Sequence, residues 1–176
     1  ITRVVSIISR IDRPTRFRLT TEDFVGADNE KDAVKLLGED RSPYSFKDNL
    51  ITEIKEFTLK FGEQIEIPVV IRVPKNAQPG GFYASLIVVN DPEDSGIETI
   101  GTRSVSRLAQ LFFVRVPGAV EESGILDSFR LLGGKSVYQS GPFTFQILFK
   151  NDGTVHLVPY GKIIIKNMAG TVVGTV

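Results

Sequence analysis

Cysteine and tryptophan are absent from the 176 residues, and histidine and methionine occur once each. Without cysteine there is no disulfide, no thiolate zinc site and no cysteine nucleophile. That absence fits a cytosolic protein, and equally the surface proteins of bacteria that do without disulfides. It argues against a small disulfide-stapled secreted scaffold of the animal type, and no Asn-x-Ser/Thr sequence occurs either. Net charge is missing too: 21 basic residues balance 21 acidic ones, which removes the long-range case for nucleic acid or an anionic membrane as partner. No apolar run approaches the roughly 20 residues that span a bilayer, and no signal-peptide pattern is present. Membrane attachment is therefore expected only through a segment outside this chain, which reads as a mature or excised piece of something longer.

What is present is alternation. From Gln64 to Val73 the odd positions Ile65, Ile67, Val69, Ile71 and Val73 are all apolar, against Gln64, Glu66, Pro68, Val70 and Arg72. A period of two in β-branched residues predicts a strand with one face in a core and one in water. Pro74, Asn76 and Pro79-Gly80-Gly81 turn the chain, and Phe82–Val89 runs back as a more thoroughly buried strand.

The rest of the chain follows the same pattern. Ile1–Ser9 is a β-branched run, Arg10–Pro14 a turn, and Thr15–Phe24 a second strand expected to pair with the first like a hairpin. The basic residues Arg10, Arg13, Arg16 and Arg18 alternate with apolar ones and read as the solvent face of a strand. Between Val25 and Asn49 the pattern weakens into an insertion. Within it Lys31–Leu37 fits either a short helix capped by Asp28 or Asn29 or an edge strand. Ser45–Asp48 has capping-box spacing and predicts one helical turn. Lys55–Phe61 restores alternation, Asn90–Gly96 is a polar loop, and Val105–Val116 is the last strand of the first domain. Short strands spaced by turns predict an all-β fold of two tandem immunoglobulin-like antiparallel sandwiches. The first spans 1–117, a linker 118–124, and the second 125–176. Strands are expected there at Ile125–Leu132, Phe143–Lys150, Gly161–Lys166 and Thr171–Val176, with turns at Gly133-Gly134, Asn151–Gly153 and Asn167–Gly170. Fifty-odd residues are few for a sandwich, so the second domain is expected to be incomplete.

Candidate chemistry is sparse. His156 is the single histidine, and one imidazole without cysteine or a nearby acidic pair does not make a usual zinc site. A nucleophilic triad would need Ser136 or Ser140 beside it, and neither sits in a nucleophile elbow. Asp91, Glu93 and Asp94, or Asp28, Glu30 and Asp32, carry the carboxylate oxygens that calcium takes, but lack EF-hand spacing and read more simply as solvated loops. A lysine–asparagine isopeptide crosslink would need a buried lysine beside a carboxylic acid. Gly80-Gly81 and Gly133-Gly134 do not open helices, so they are turns and not phosphate loops. Tyr44, Phe46, Phe82, Tyr83, Tyr138 and Tyr160 are candidates for a stacking or partner-binding patch, with most expected in packing. No catalytic, metal-binding or cofactor-binding residue is assigned, and the chain is read as a non-enzyme without a cofactor.

Two passages resemble a known architecture. Phe61-Gly-Glu-Gln, followed by Ile71-Arg-Val-Pro-Lys-Asn-Ala-Gln-Pro-Gly-Gly-Phe-Tyr-Ala, resembles the first immunoglobulin-like domain of bacterial cell-surface proteins of the WxL-interacting type. Thr21-Glu-Asp-Phe24 and Ser42–Asp48 fall where that family has similar segments. Phe149-Lys-Asn-Asp-Gly-Thr-Val-His-Leu-Val-Pro-Tyr-Gly161 is similar to the signature of its second domain. Relative to that family, a strand before Ile1, the end of the second domain and a membrane anchor are missing. The resemblance implies secretion, attachment to the cell envelope, and binding or scaffolding by a structural or adhesion protein. Its expected partners are other cell-surface proteins, copies of itself, or peptidoglycan, reached through strand edges and loops. Two rivals remain: an accessory carbohydrate-binding or spacer module of a larger envelope enzyme, and a periplasmic chaperone-like sandwich that handles other subunits' strands.

Overall fold

The computed structural model describes residues 1–27, 32–91, 105–133, 138–139 and 141–176. They fall into two units, Ile1–Ala119 and Val120–Val176. In chain order the first unit has β1 (Thr2–Ile8), β2 (Thr15–Glu22), β3 (Phe24–Gly26), β4 (Val34–Leu36), a 3-10 turn (Lys47–Asn49), β5 (Leu50–Ile51), β6 (Glu56–Leu59), β7 (Gln64–Ile71), β8 (Gly80–Asp91) and β9 (Arg107–Val116). The second has β10 (Gly124–Leu132), β11 (Thr144–Asn151), β12 (Ile164–Lys166) and β13 (Val172–Thr175). The fold is all-β.

Unit 1 is a sandwich of a three-stranded sheet, ordered β1-β7-β5, and a four-stranded sheet, ordered β6-β2-β8-β9. The alternation of β7 has its predicted meaning. Ile67, Val69 and Ile71 face inward and are buried, whereas Gln64, Glu66, Pro68 and Val70 face out. They meet Phe17 and Leu19 of β2, Leu59 of β6, and Ala84, Leu86 and Val88 of β8, with Leu50 and Phe46 completing the core. Burying each large aliphatic side chain here contributes roughly 1.5–3 kcal/mol. Pro68 sits inside a middle strand, where a missing N–H is usually costly. Here β5 has only two residues, paired to Val70 and Ile71, so β7 has no β5 partner at Pro68.

Three expectations are corrected and one open alternative, the third below, is resolved. First, β1 and β2 are not a hairpin: β1 pairs with β7, and β2 pairs with β6 and β8. The Ser9 N–H donates to the Glu63 carbonyl (3.0 Å) and the Gly62 N–H to the Ser9 carbonyl (2.9 Å). These bonds hold the end of β1 on its own sheet, and Ile11 packs on the core as the chain crosses to the other. Gly62 makes that closure with φ +78, a conformation glycine adopts without penalty. Second, β7 and β8 lie in opposite sheets; the Pro74–Pro79 stretch crosses between layers and does not reverse within one. Third, the helix-or-strand ambiguity resolves to strand, because β4 pairs with β3 (Phe24 opposite Leu36, Gly26 opposite Val34). Asp28 and Asn29 lie outside the described residues. Fourth, the turn after Ser45 is a 3-10 turn without a side-chain cap from Phe46 at its N-terminus; the capping carboxylate comes from elsewhere.

Unit 2 consists of two two-stranded ribbons, β10-β11 and β12-β13. Its buried hydrophobic residue among those described is Val155. Gly153 is required by close approach: a Cβ there would come 2.4 Å from the Glu121 carbonyl oxygen. The Thr154 N–H donates to that same oxygen (2.9 Å), and the Glu121 N–H donates to the Thr154 hydroxyl (3.0 Å). Among the described residues of the chain, no helix is long and apolar enough to cross a membrane.

Candidate binding surfaces

Two adjacent acids at the end of β2 organise the insertion that follows. The Asp23 side chain is fully buried. Its Oδ2 accepts the Ser42 N–H (3.2 Å), and its Oδ1 accepts the N–H groups of Phe46 (3.3 Å) and Lys47 (3.2 Å). It is thus the cap of the 3-10 turn, delivered from the far end of the insertion. Glu22 accepts the Gly38 N–H (3.1 Å) and pairs with Arg107 of β9. The Lys47 ammonium closes the loop by donating to the carbonyls of Glu39 (2.8 Å) and Asp40 (3.0 Å). Three backbone donors on one buried carboxylate make this cluster a fastening for the insertion.

Among the described residues, those that sequence reasoning singled out do not converge. His156 is half-buried next to Val155; Ser136 and Ser140 lie outside the described residues. Of the acidic runs, Asp91 ends β8 opposite Arg16 and Asp32 is exposed. Asp28, Glu30, Glu93 and Asp94 lie outside the described residues. Among the described residues no group of three acids or histidines is placed to hold a metal. Nor is any described lysine buried, and the least exposed, Lys47, is bonded to carbonyls.

The aromatic candidates separate. Phe46 is buried and tilted against Phe82 (6.0 Å), which packs on the core. Tyr83 joins Phe24, Phe113 and Tyr44 in a ring cluster, with centroids 5.7–6.1 Å from Tyr83. Tyr138 packs edge-on against Phe143 (5.7 Å). Tyr44 stays 46% exposed and Tyr160 wholly so.

The surface that sequence analysis missed is in unit 2. Two apolar grooves, of about 610 and 590 Å³, open along the facing sides of its ribbons. The larger is lined by Leu126, Phe129, Ile147 and Phe149 on one side and Ile163 and Ile164 on the other. In a regular strand Leu126 and Phe129, three residues apart, would point to opposite faces. A bulge between Leu126 and Ser128 restores them to one. The register then sets Leu126 opposite Phe149, Phe129 opposite Ile147 and Leu131 opposite Phe145, and Phe129 stacks on Phe145 at 5.5 Å. Ile125, Leu126, Phe129, Ile147, Leu148, Ile164, Val172 and Val173 all remain about half exposed. The alternation of β11 was visible in the sequence; the bulge that brings Leu126 and Phe129 to one face was not.

No protein-family model matches the chain, and no curated protein does. Among solved structures it is similar to the class 5 fimbriae chaperone CfaA, at 12% identity and a TM-score of 0.49 over 94% of this chain and 84% of that one. It is also similar to the E. coli chaperone DraB, at 13% identity and 0.46 over 99% and 87%. A third is the CsuC–CsuE chaperone–tip adhesion subunit complex of Acinetobacter baumannii, at 11% identity and 0.43 over 99% and 89%. At these scores the likeness is distant, and no functional conclusion follows from it.

Proposed function

We propose that this chain is a non-enzymatic protein of the bacterial cell envelope, structural or adhesive, that binds protein partners through open strand edges and apolar grooves. The observation that carries the reading is the second unit. Its grooves are bounded by strands and lined by side chains whose chemistry is that of a sandwich interior, yet they stand open to solvent. Contiguous exposed apolar surface on this scale marks an interaction site. A strand-bounded groove suits an extended segment with alternating apolar side chains. The envelope location rests on the resemblance to WxL-interacting proteins, carried by residues 61–84 and 149–161.

The test is site-specific photocrosslinking in the producing bacterium. A crosslinking residue at Leu126 or Ile147 is expected to give discrete adducts with envelope proteins, and one at exposed Lys75 is not. Adducts equally abundant at all three positions, or none, would count against a binding groove. Co-sedimentation with purified peptidoglycan, unaffected by Ile147→Lys, would instead place the activity on cell-wall polymer and outside the groove.

A further inference from the structure

Within the insertion of unit 1 lies a stretch held almost wholly by polar contacts. Of residues 38–45 the one buried is Ser42; Ser45 is half-buried, and the others, Tyr44 included, are exposed. On either side the chain is rooted. The Leu37 N–H donates to the Asp23 carbonyl (3.0 Å) just past β4, and Phe46 is 3% exposed in the core. Between these roots, Glu22 accepts the Gly38 N–H and the Asp23 Oδ2 accepts the Ser42 N–H. Lys47, beyond the second root, donates back to the carbonyls of Gly38 (3.4 Å), Glu39 and Asp40. The last fastening is on the sheet. β2 ends at Glu22, opposite Ser85 of β8, and the insertion takes the place beside β8 that β2 gives up: the Tyr83 N–H donates to the Tyr44 carbonyl (2.9 Å).

We infer that residues 38–45 are a strap that opens as one unit while the sandwich stays folded, hinged at Leu37 and Phe46. Bonds to ionised groups are the stronger kind, but little else holds this stretch. Beyond the edge-on contact of Tyr44 with Tyr83 (6.1 Å), opening gives up no large buried apolar side chain and so forfeits little hydrophobic burial. It also returns backbone freedom to the residues released. Segments built this way open well below the free energy of global unfolding. The fastenings are tied to one another, which makes the opening cooperative. Lys47 spans three successive carbonyls, and the Ser42 hydroxyl and carbonyl accept the N–H groups of Tyr44 (3.0 Å) and Ser45 (3.1 Å), so 42–45 moves as one internally bonded turn. The root keeps its own bonds: the Phe46 N–H to the Tyr83 carbonyl (3.1 Å) and the Lys47 N–H to the Asp23 Oδ1. Opening therefore bares, at the end of β2, one oxygen of a buried carboxylate and one N–H of an interior strand. This acceptor and donor are both covered when the strap is shut.

Native-state hydrogen exchange of the full chain across low urea concentrations tests the inference. The Gly38, Ser42 and Tyr83 amides are expected to exchange through one shared opening, about a hundredfold or more faster than global unfolding allows. Their rates should depend little on urea, because the opening exposes little surface. Tyr83 is the discriminating position, since it belongs to β8 and not to the insertion. Backbone directions alternate along a strand, so Ala84 and Leu86 turn their N–H groups toward β9 and should exchange only with the whole sandwich. Lys47→Met removes the ammonium, keeps an unbranched stem and leaves the core residues untouched. It should speed the three amides by about tenfold and leave Ala84 and Leu86 within about twofold. Trypsin supplies a second readout: cleavage after the exposed Arg41 should accelerate by the same factor as the exchange. Ser42 and Tyr83 amides that exchange at the Ala84 rate, three amides with unrelated urea dependences, or a Lys47→Met chain that exchanges and is cut like wild type would overturn the strap.

Discussion

The two units use the same local code and reach opposite outcomes. In β8 of unit 1, Ala84, Leu86 and Val88 alternate toward a facing sheet and are buried. In β11 of unit 2, Phe145, Ile147 and Phe149 alternate just as regularly, and Ile147 is 53% exposed. The difference is not in the strand but in what lies across from it. A seven-stranded pair of sheets closes a core; two ribbons of two strands leave grooves. Alternation therefore reports which side of a strand prefers to be covered, and says nothing about whether cover is supplied.

The sharpest test of this contrast pairs two truncations. Leu86→Ala, in the closed core, should lower unfolding free energy by about 3 kcal/mol, whereas Ile147→Ala should cost under about 1 kcal/mol. Urea unfolding of each variant measures both, and similar losses would mean that unit 2 has a hidden core. Next in size, Asp23→Ala removes the acceptor of the Ser42 and Lys47 N–H groups, while the Phe46 N–H keeps the Tyr83 carbonyl (3.1 Å), and should cost about 2 kcal/mol. Limited proteolysis should then cut within residues 32–49 before the sandwich itself. Gly153→Ala forces a Cβ against the Glu121 carbonyl and should destabilise by about 1–2 kcal/mol. Hydrogen exchange should report the loss in the Thr154 amide. The smallest effect is expected at Lys150, where the hydrogen bond and charge of Asp152 (2.8 Å) raise the ammonium pKa above the ordinary lysine value. A raised pKa gives a contribution present at neutral pH and lost only as pH rises through the folded value. The pair is solvent-exposed, so Lys150→Ala should leave the thermal midpoint at neutral pH unchanged within error.

Much of unit 1 was legible because its signals are local. β-branched alternation marked β7, the prolines and glycines around residues 74–81 marked a turn though not that it crosses between sheets, and Val105–Val116 marked β9. Pairing was not legible. That β1 joins β7 and not β2 depends on Ser9 closing onto Gly62 and Glu63, partners more than fifty residues away. Asp23 was visible only as one letter in Thr21-Glu-Asp-Phe24; its role needs three amides that arrive from residues 42–47. The groove in unit 2 was hidden by the bulge after Leu126. Counting by twos assigns Leu126 and Phe129 to opposite faces, and one extra residue in the strand reverses that.

The order of apolar and polar residues by itself determined an all-β chain, the inward face of each regular strand and the places where the chain must turn. These follow from backbone geometry, which repeats every two residues whatever the surroundings. Tertiary structure alone decided which strands are neighbours, which buried carboxylate fastens the insertion, and which apolar side chains line the grooves of unit 2. Those outcomes depend on groups far apart in the chain meeting in space, and no local repeat encodes a meeting.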